Sequence, residues 1–263
     1  MRIALGVEYE GSAFRGWQTQ PAGGTVQDAL EAALWRIAGV PIKVVCAGRT
    51  DAGVHATGQV AHFDTRAERP LSAWVRGVNT FLPATVAVRW AQPVADDFHA
   101  RFSAYGRRYR YVLINRPQRL GVWHGHAGWY HHPLDVDAMQ KAANLLLGEH
   151  DFSAFRAADC QAKSPVKTVR QATVRRSGDL LVFDFEAGAF LHHMVRNLVG
   201  SLVYIGQGKY PPAWIAELLA AADRRLAAPT FAAAGLYLVG VRYEARWGLP
   251  ADEELFLPGM PGI

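Results

Sequence analysis

The sequence predicts an α+β fold in which two similar α+β halves join into one mostly antiparallel central sheet with helices packed on it. Strand and helix patterns follow one another as β-α-β-β-α-β up to residue 91, and a similar order restarts at Tyr105. Short strands linked by tight turns are typical of antiparallel sheets. A chain of 263 residues is long enough for one large domain or two modest ones with a substantial core.

The elements of the first half follow from simple periodicities. Apolar side chains alternate from Ile3 to Tyr9, which predicts a first strand. Thr25 and Asp28 form a capping-box pattern at the start of a helix that Gly39 ends. The same reasoning predicts a strand at 42–47, a loop at 48–56, a strand at 59–65, a helix at 71–82 and a strand at 86–91.

The second half begins with a strand that carries one charged face, because Tyr109 and Tyr111 alternate with arginines. A tight turn at 177–179 predicts a hairpin between the strands at 168–176 and 180–186. Apolar periodicity predicts helices at 136–147, 190–205 and 211–222, and a closing strand at 236–244. The predicted domains are therefore 1–104 for the N-terminal half with the loop at 48–56, 105–247 for the C-terminal half and 248–263 for a C-terminal tail.

The composition is that of a soluble globular chain, with 50% hydrophobic residues, 19% charged residues and a mean hydropathy of −0.01. No apolar run approaches the length of a membrane span, and the N-terminus reads as a strand rather than a signal peptide. We therefore expect a cytoplasmic protein without a membrane segment. Cys46 and Cys160 are the only cysteines, which favours two reduced thiols over a disulfide.

The charge balance favours a polyanionic partner. The net charge is +5, and most of the positive charge is arginine, which binds phosphate bidentately and stacks on bases. The densest basic run contains Arg107, Arg108 and Arg110, with Arg101 nearby. Contact with phosphates of a polyanion is the interpretation we favour, and a solvated strand face is the alternative.

The loop at 48–56 is the most informative stretch. Gly48 and Gly53 bracket Arg49, Thr50 and Asp51 between two predicted strands, so a guanidinium and a carboxylate would stand at the end of a sheet. The structural alternative is a turn in which Asp51 only accepts hydrogen bonds from backbone amides. Spacing alone does not choose between these two interpretations.

A resemblance favours the functional interpretation. The segment GRTDAGVHA at 48–56 resembles the catalytic signature of the bacterial tRNA pseudouridine synthase A family. Further segments resemble that family's motifs in the expected order, so the similarity spans nearly everything from Ile3 to Tyr243. These segments are residues 9–12, 16–18, 98–104, 108–111, 150–152, 192–197 and 235–238.

The resemblance implies the pseudouridine synthase fold, with ferredoxin-like (RRM-like) halves, and an isomerase that converts uridine to pseudouridine at positions 38–40 of the tRNA anticodon stem-loop. It implies no cofactor and no metal. It also implies a homodimer in which each tRNA touches both subunits. Among the apolar patches that could form the dimer interface is the segment 255–257.

The resemblance also implies roles for individual residues. Asp51 is expected to act as a nucleophile at ribose C1′ or uracil C6, or to take the ribose 2′ proton, and the sequence does not separate these routes. Arg196 is expected to pair with Asp51, where a helix-surface arginine is the alternative. Tyr109 is expected to stack on the uracil, although Tyr111 shares its face of the strand, and Leu236 is expected to close the base pocket.

A uridine in a stem must be extruded before it reacts, and Arg49 is expected to fill the vacated stack. Two other function classes compete with this one. A non-catalytic RNA-binding protein would use the same basic and aromatic residues. A nucleoside or glycoside hydrolase would need a second carboxylate, and the loop has none. The histidines at 124, 126, 131, 132 and 150 lack the spacing of a metal site.

Overall fold

The computed structural model describes residues 1–250 of the chain. These residues form two compact units, of which the first contains Met1–Tyr105 with residues 238–250, and the second contains Gly106–Tyr237. The predicted tail from residue 251 onward, with its apolar segment 255–257, lies outside the described residues. Among residues 1–250, no helix has the length and hydropathy that crossing a bilayer requires.

The α+β class is confirmed. In chain order the strands are β1 (Arg2–Tyr9), β2 (Val45–Cys46), β3 (His55–Asp64), β4 (Val86–Val94), β5 (Ala104–Asn115), β6 (Gly128–Tyr130), β7 (Gly148–Asp151), β8 (Val166–Ser177), β9 (Leu180–Ala187) and β10 (Leu236–Tyr243). The helices are α1 (Val26–Ala38), α2 (Val78–Phe81), α3 (Val136–Asn144), α4 (Met194–Gly206) and α5 (Trp214–Ala221).

In the first unit, the strands lie in the order β4-β1-β3-β10, and β2 pairs with β3. β1 is antiparallel to both β3 and β4. The helix α1 begins with the predicted capping box of Thr25 and Asp28 and ends at Gly39, which has a left-handed φ of 76°. Phe63 of β3 packs its ring 5.2 Å from that of Trp74, and both rings are fully buried. Burial of such rings drives the packing of the helices on this sheet.

In the second unit, the strands lie in the order β5-β9-β8-β7 and are antiparallel, while β6 pairs with β5 in parallel. The helix α3 packs against both β8 and α4. The core of this unit contains the fully buried rings of Tyr111, Phe183 and Phe185. Alternation along β5 therefore places one face in this core and the other face, which carries Arg108 and Arg110, away from it.

Several predicted boundaries differ from the structure. The helix predicted from residue 190 begins only at Met194, because His193 takes a left-handed φ of 60°. The strand predicted at 42–47 shortens to β2, because the N–H of Val44 donates to Oε1 of Glu31 rather than to a strand. The helix predicted at 71–82 includes a π-helical turn at Ala73–Gly77 before α2. The short strands β6 and β7 lack an alternating pattern and were not predicted.

Candidate active site

The loop between β2 and β3 in the first unit is anchored at its start. Cys46 of β2 pairs with Ala61 of β3, so the loop begins on one strand and ends on its neighbour in the sheet. Gln59 of β3 is fully buried, and its Nε2 donates to the backbone oxygen of Gly48 at 2.7 Å. A buried amide bonded to the backbone fixes the point from which the loop projects.

The glycine-spaced segment at 10–18 packs directly against this loop. The N–H of Trp17 donates to the backbone oxygen of Thr50 at 3.0 Å. A Cβ on Gly16 would lie 2.7 Å from the same oxygen, and a Cβ on Gly11 would lie 2.0 Å from the backbone oxygen of Val54. Only glycine therefore allows the two loops to approach this closely.

A pair of buried hydroxyl groups joins β1 to the loop. The phenol of Tyr9 and Oγ1 of Thr50 lie 2.7 Å apart, and these residues are 4% and 7% exposed. The ring of Tyr9 also packs 5.7 Å from that of Trp17. Because Thr50 immediately precedes Asp51, this bond restrains the backbone that carries the carboxylate. The two residues are 41 positions apart, so no local pattern in the sequence indicates this pair.

Asp51 lies half-buried in this loop. Its backbone oxygen accepts a hydrogen bond from the N–H of Val54 at 3.2 Å, and Gly53 within this turn has a φ of 77°. Arg49, two residues earlier, is exposed. The structure thus presents a carboxylate and a guanidinium on one braced turn, as the sequence predicts.

Two arginines give the start of this loop a positive potential. Burial raises the pKa of the Cys46 thiol to about 12, and the nearby charges of Arg49 and Arg101 act in the opposite direction. Both arginines are exposed at the surface of the first unit. Exposed guanidinium groups beside a carboxylate loop suit an anionic ligand such as RNA phosphate.

In the second unit, the structure distinguishes two tyrosines that strand periodicity leaves equivalent. Tyr111 is fully buried, and its hydroxyl donates to the backbone oxygen of Ala232 at 2.8 Å. Burial also raises the pKa of the Tyr111 hydroxyl. Tyr109 is 9% exposed, and its ring meets that of Phe190 edge-on at 5.2 Å. Tyr109 is therefore the one of the two that solvent still reaches.

Arg196 and Leu236 belong to the same unit. Arg196 is half-buried on the first turn of α4, and its Nε donates to the backbone oxygen of Phe231 at 2.8 Å. It is close enough to Tyr111 for its charge to oppose the burial-driven rise in that residue's pKa. Leu236 is 5% exposed at the start of β10.

A buried amide that the sequence analysis missed holds the chain beside Arg196. Asn197 is fully buried, and its Nδ2 donates to the backbone oxygen of Phe155 at 2.8 Å. Its Oδ1 accepts hydrogen bonds from Oγ1 of Thr230 at 2.7 Å and from Arg224 at 3.1 Å. The one amide side chain in the largely apolar helix α4 was the available signal, since a buried amide needs such partners.

The predicted basic run on β5 is largely engaged by the protein itself. Arg107 is buried, and its Nη1 donates to the backbone oxygen of Gly188 at 2.9 Å. Arg110 forms two hydrogen bonds with the carboxylate of Asp184 at 2.7 and 3.2 Å, and Arg175 also donates to that carboxylate. These contacts hold two of the run's guanidinium groups on the surface of the sheet.

Comparison with known proteins shows the family of the chain. A family model described as tRNA pseudouridine synthase matches residues 6–103 and 142–244. A protein of Dechloromonas aromatica named tRNA pseudouridine synthase A is 68% identical over 260 residues, covering 99% of both chains. Proteins of the same name from Aromatoleum aromaticum and Methylobacillus flagellatus are each 61% identical, over 100% and 96% of this chain and 100% and 97% of theirs. The chain therefore belongs to the tRNA pseudouridine synthase family.

Proposed function

We propose that this tRNA pseudouridine synthase converts uridine to pseudouridine at positions 38–40 of the tRNA anticodon stem-loop, with Asp51 as the catalytic carboxylate. The observation that carries the proposal is the bracing of the Asp51 turn by the buried Tyr9–Thr50 bond and by the close approach of Gly16. A catalytic group must be held in position by its surroundings.

The reaction is an isomerisation and needs no external reagent. The bond from N1 to ribose C1′ breaks, the uracil rotates, and a bond from C5 to C1′ forms. C5 loses its proton and N1 gains one, so protons and electrons balance. Asp51 serves this sequence as a nucleophile at C1′ or at C6, or as the base that takes the 2′ proton. On any of these routes the carboxylate must be ionised.

Residues of the second unit serve the base and the carboxylate. Tyr109 stacks on the extruded uracil, and its partial exposure beside the fully buried Tyr111 supports this choice. Leu236 closes the base pocket. Arg196 supplies the guanidinium that keeps Asp51 ionised, as the family resemblance implies.

Binding of the stem-loop requires contacts to phosphates and to the stack that the target uridine leaves. Exposure supports Arg49 as the side chain that fills this stack and Arg101 as a phosphate ligand. Arg108 belongs to the same proposal. Contacts with Gly188 and Asp184 already account for the positions of Arg107 and Arg110, so an RNA contact by these two rests on the sequence alone.

On this proposal the protein is cytoplasmic and forms a homodimer in which both subunits touch each tRNA. The reaction uses neither a metal nor a cofactor. Its mass in solution at micromolar concentration tests the dimer. A monomeric mass would contradict that part of the proposal and leave the chemistry of Asp51 unaffected.

The central experiment replaces Asp51 by Asn, which keeps the size of the side chain and removes its charge. With tRNA that carries 5-tritiated uridine, the wild type is expected to release tritium, and Asp51→Asn is expected to bind the tRNA without releasing it. Release at the original rate from Asp51→Asn would overturn the role of Asp51. Free uracil as a product would instead indicate a hydrolase, and wild-type binding without release would indicate a non-catalytic RNA-binding protein.

A further inference from the structure

One aromatic ring in the first unit stands out by its exposure. Phe102 is 76% exposed, more than any other large aromatic side chain among residues 1–250. It follows β4 in the turn that leads into β5. A ring this exposed is available as a contact surface.

The ring is nevertheless held in a defined position. His99 stacks on it with centroids 4.3 Å apart and an interplanar angle of 30°, and the ring of His62 meets that of His99 in a tilted contact with centroids 4.9 Å apart. Nδ1 of His99 accepts hydrogen bonds from the backbone N–H groups of Arg101 and Phe102, each at 3.2 Å. The turn is closed by the bond from the N–H of Ser103 to the backbone oxygen of His99 at 2.8 Å. Phe102 is thus the exposed member of a cluster of three rings, which also contains His99 and the buried His62.

A positive charge accompanies the ring. The guanidinium carbon of Arg101 lies 5.6 Å from the centroid of Phe102. Proteins bind single-stranded nucleic acids with exposed aromatic rings and adjacent arginines. The ring stacks on the π-face of a base, and the guanidinium pairs with a phosphate. The net charge of +5 also favours an anionic occupant such as RNA over a protein surface with few acidic residues.

The ring cluster lies beside the catalytic loop. Its buried member, His62, pairs on the sheet with Val45, the residue before Cys46. The charges of Arg101 and Arg49 both reach the thiol of Cys46, where the loop begins. A base on Phe102 would therefore be a neighbour of the reacting uridine in the same RNA.

We propose that Phe102 is a stacking platform for an unpaired base of the tRNA anticodon loop, and that this contact positions the loop while Asp51 acts on a different nucleotide. The proposal rests on the proposed function, because it takes the anticodon stem-loop as the substrate. It assigns Phe102 to substrate binding and to no step of the chemistry.

The chain offers a matched control for this test. Phe81 is also exposed, at 46%, and the guanidinium carbon of Arg36 lies 5.1 Å from its centroid. No histidine is stacked on Phe81 among the described ring contacts. Phe81→Leu therefore removes a similar ring beside a similar cation in another part of the same unit.

The experiment uses the full-length protein and anticodon stem-loop RNAs in which 2-aminopurine replaces one unpaired loop base at a time. Wild-type protein is expected to quench the fluorescence at one position, since stacking quenches this base. Phe102→Leu should abolish that quenching and raise KM on the order of tenfold, with kcat within about twofold of wild type. Phe102→Tyr should restore both values, and Phe81→Leu should leave both unchanged.

Three results would overturn the inference. Phe102→Leu could match Phe81→Leu in quenching and KM, it could lower kcat instead of raising KM, or it could dissociate the dimer, which would make Phe102 a contact between copies of this chain. Each of these leaves tritium release by the wild type intact. Failure of the proposed function would instead appear as wild-type protein that releases no tritium at all.

Discussion

The hydroxyl groups of Tyr9 and Thr50 form a buried bond directly before the proposed catalytic carboxylate. Thr50→Val keeps the shape of the side chain and removes the hydrogen bond that its hydroxyl makes with Tyr9, which costs about 0.5–1.5 kcal/mol. We expect this loss in urea unfolding and a fall in kcat on the order of tenfold, since the backbone of Asp51 loses a restraint. Thr50→Ser keeps the hydroxyl and should retain most of the activity.

A double-mutant cycle tests whether the two hydroxyl groups act as a pair. Tyr9→Phe alone should destabilise the protein much as Thr50→Val does. The variant with both substitutions should lose less stability than the sum of the two, because each single substitution already removes the same hydrogen bond. Strictly additive losses, or an unchanged kcat in Thr50→Val, would show that the bond does not position the loop.

At the scale of single residues, the sequence predicts which side chains share a face and leaves open what each one contacts. Alternation placed Arg108 and Arg110 together on β5, but the bond from Arg110 to Asp184 joins residues 74 positions apart. Tyr109 and Tyr111 were equivalent by periodicity, and the hydrogen bond from the buried Tyr111 to the backbone oxygen of Ala232 distinguishes them in the structure. Contacts of this kind depend on the tertiary fold, and a local pattern does not contain them.

At the scale of elements, the close packing of the segment at 10–18 on the catalytic loop can be tested with two glycines. Gly16 and Gly39 both have a positive φ, of 87° and 76°, but only Gly16 has a neighbour in the way. Each Gly→Ala substitution should destabilise the protein by about 1–2 kcal/mol through backbone strain. Gly16→Ala should also displace Thr50 and lower the rate of tritium release, whereas Gly39→Ala should release tritium at the wild-type rate.

Comparison of these two variants separates local strain from displacement of the loop. Equal rates in Gly16→Ala and Gly39→Ala, at equal losses of stability, would contradict the view that the two loops must touch for catalysis. Circular dichroism and urea unfolding check that both variants remain folded, so that a lower rate in Gly16→Ala reports on the loop.

The elements with clear local signals were predicted well. The capping box and terminal glycine of α1 come directly from Thr25, Asp28 and Gly39, because these residues act on their own helix. The start of α4 was predicted four residues early, because the apolar run continues through Leu191 while His193 breaks the helical conformation. β7 was missed because its residues are mostly exposed and form an edge strand with no apolar face.

At the scale of the whole molecule, stability must depend on pH through groups that the fold keeps uncharged. His62 is 4% exposed, and its Nδ1 accepts a hydrogen bond from the N–H of Ala100 at 3.1 Å. Burial, together with the charge of Arg2, lowers the pKa of His62 from 6.5 to about 4. Burial also lowers the pKa of His99. Both histidines are therefore neutral in the folded protein at neutral pH.

The sign of the effect follows from proton binding. Between pH 6.5 and about 4, the unfolded chain binds a proton at His62 that the folded chain does not, so the free energy of unfolding falls as the pH falls through this window. A pKa difference of one unit corresponds to about 1.36 kcal/mol, so protonation of His62 lowers the free energy of unfolding by up to about 3 kcal/mol across this window. His62→Asn keeps an acceptor for Ala100 and should flatten urea-unfolding free energies measured from pH 7.5 to 4, while substitution of the exposed His124 by Asn should leave the slope unchanged. An unchanged slope in His62→Asn would show that protonation of His62 does not limit the acid stability of this fold.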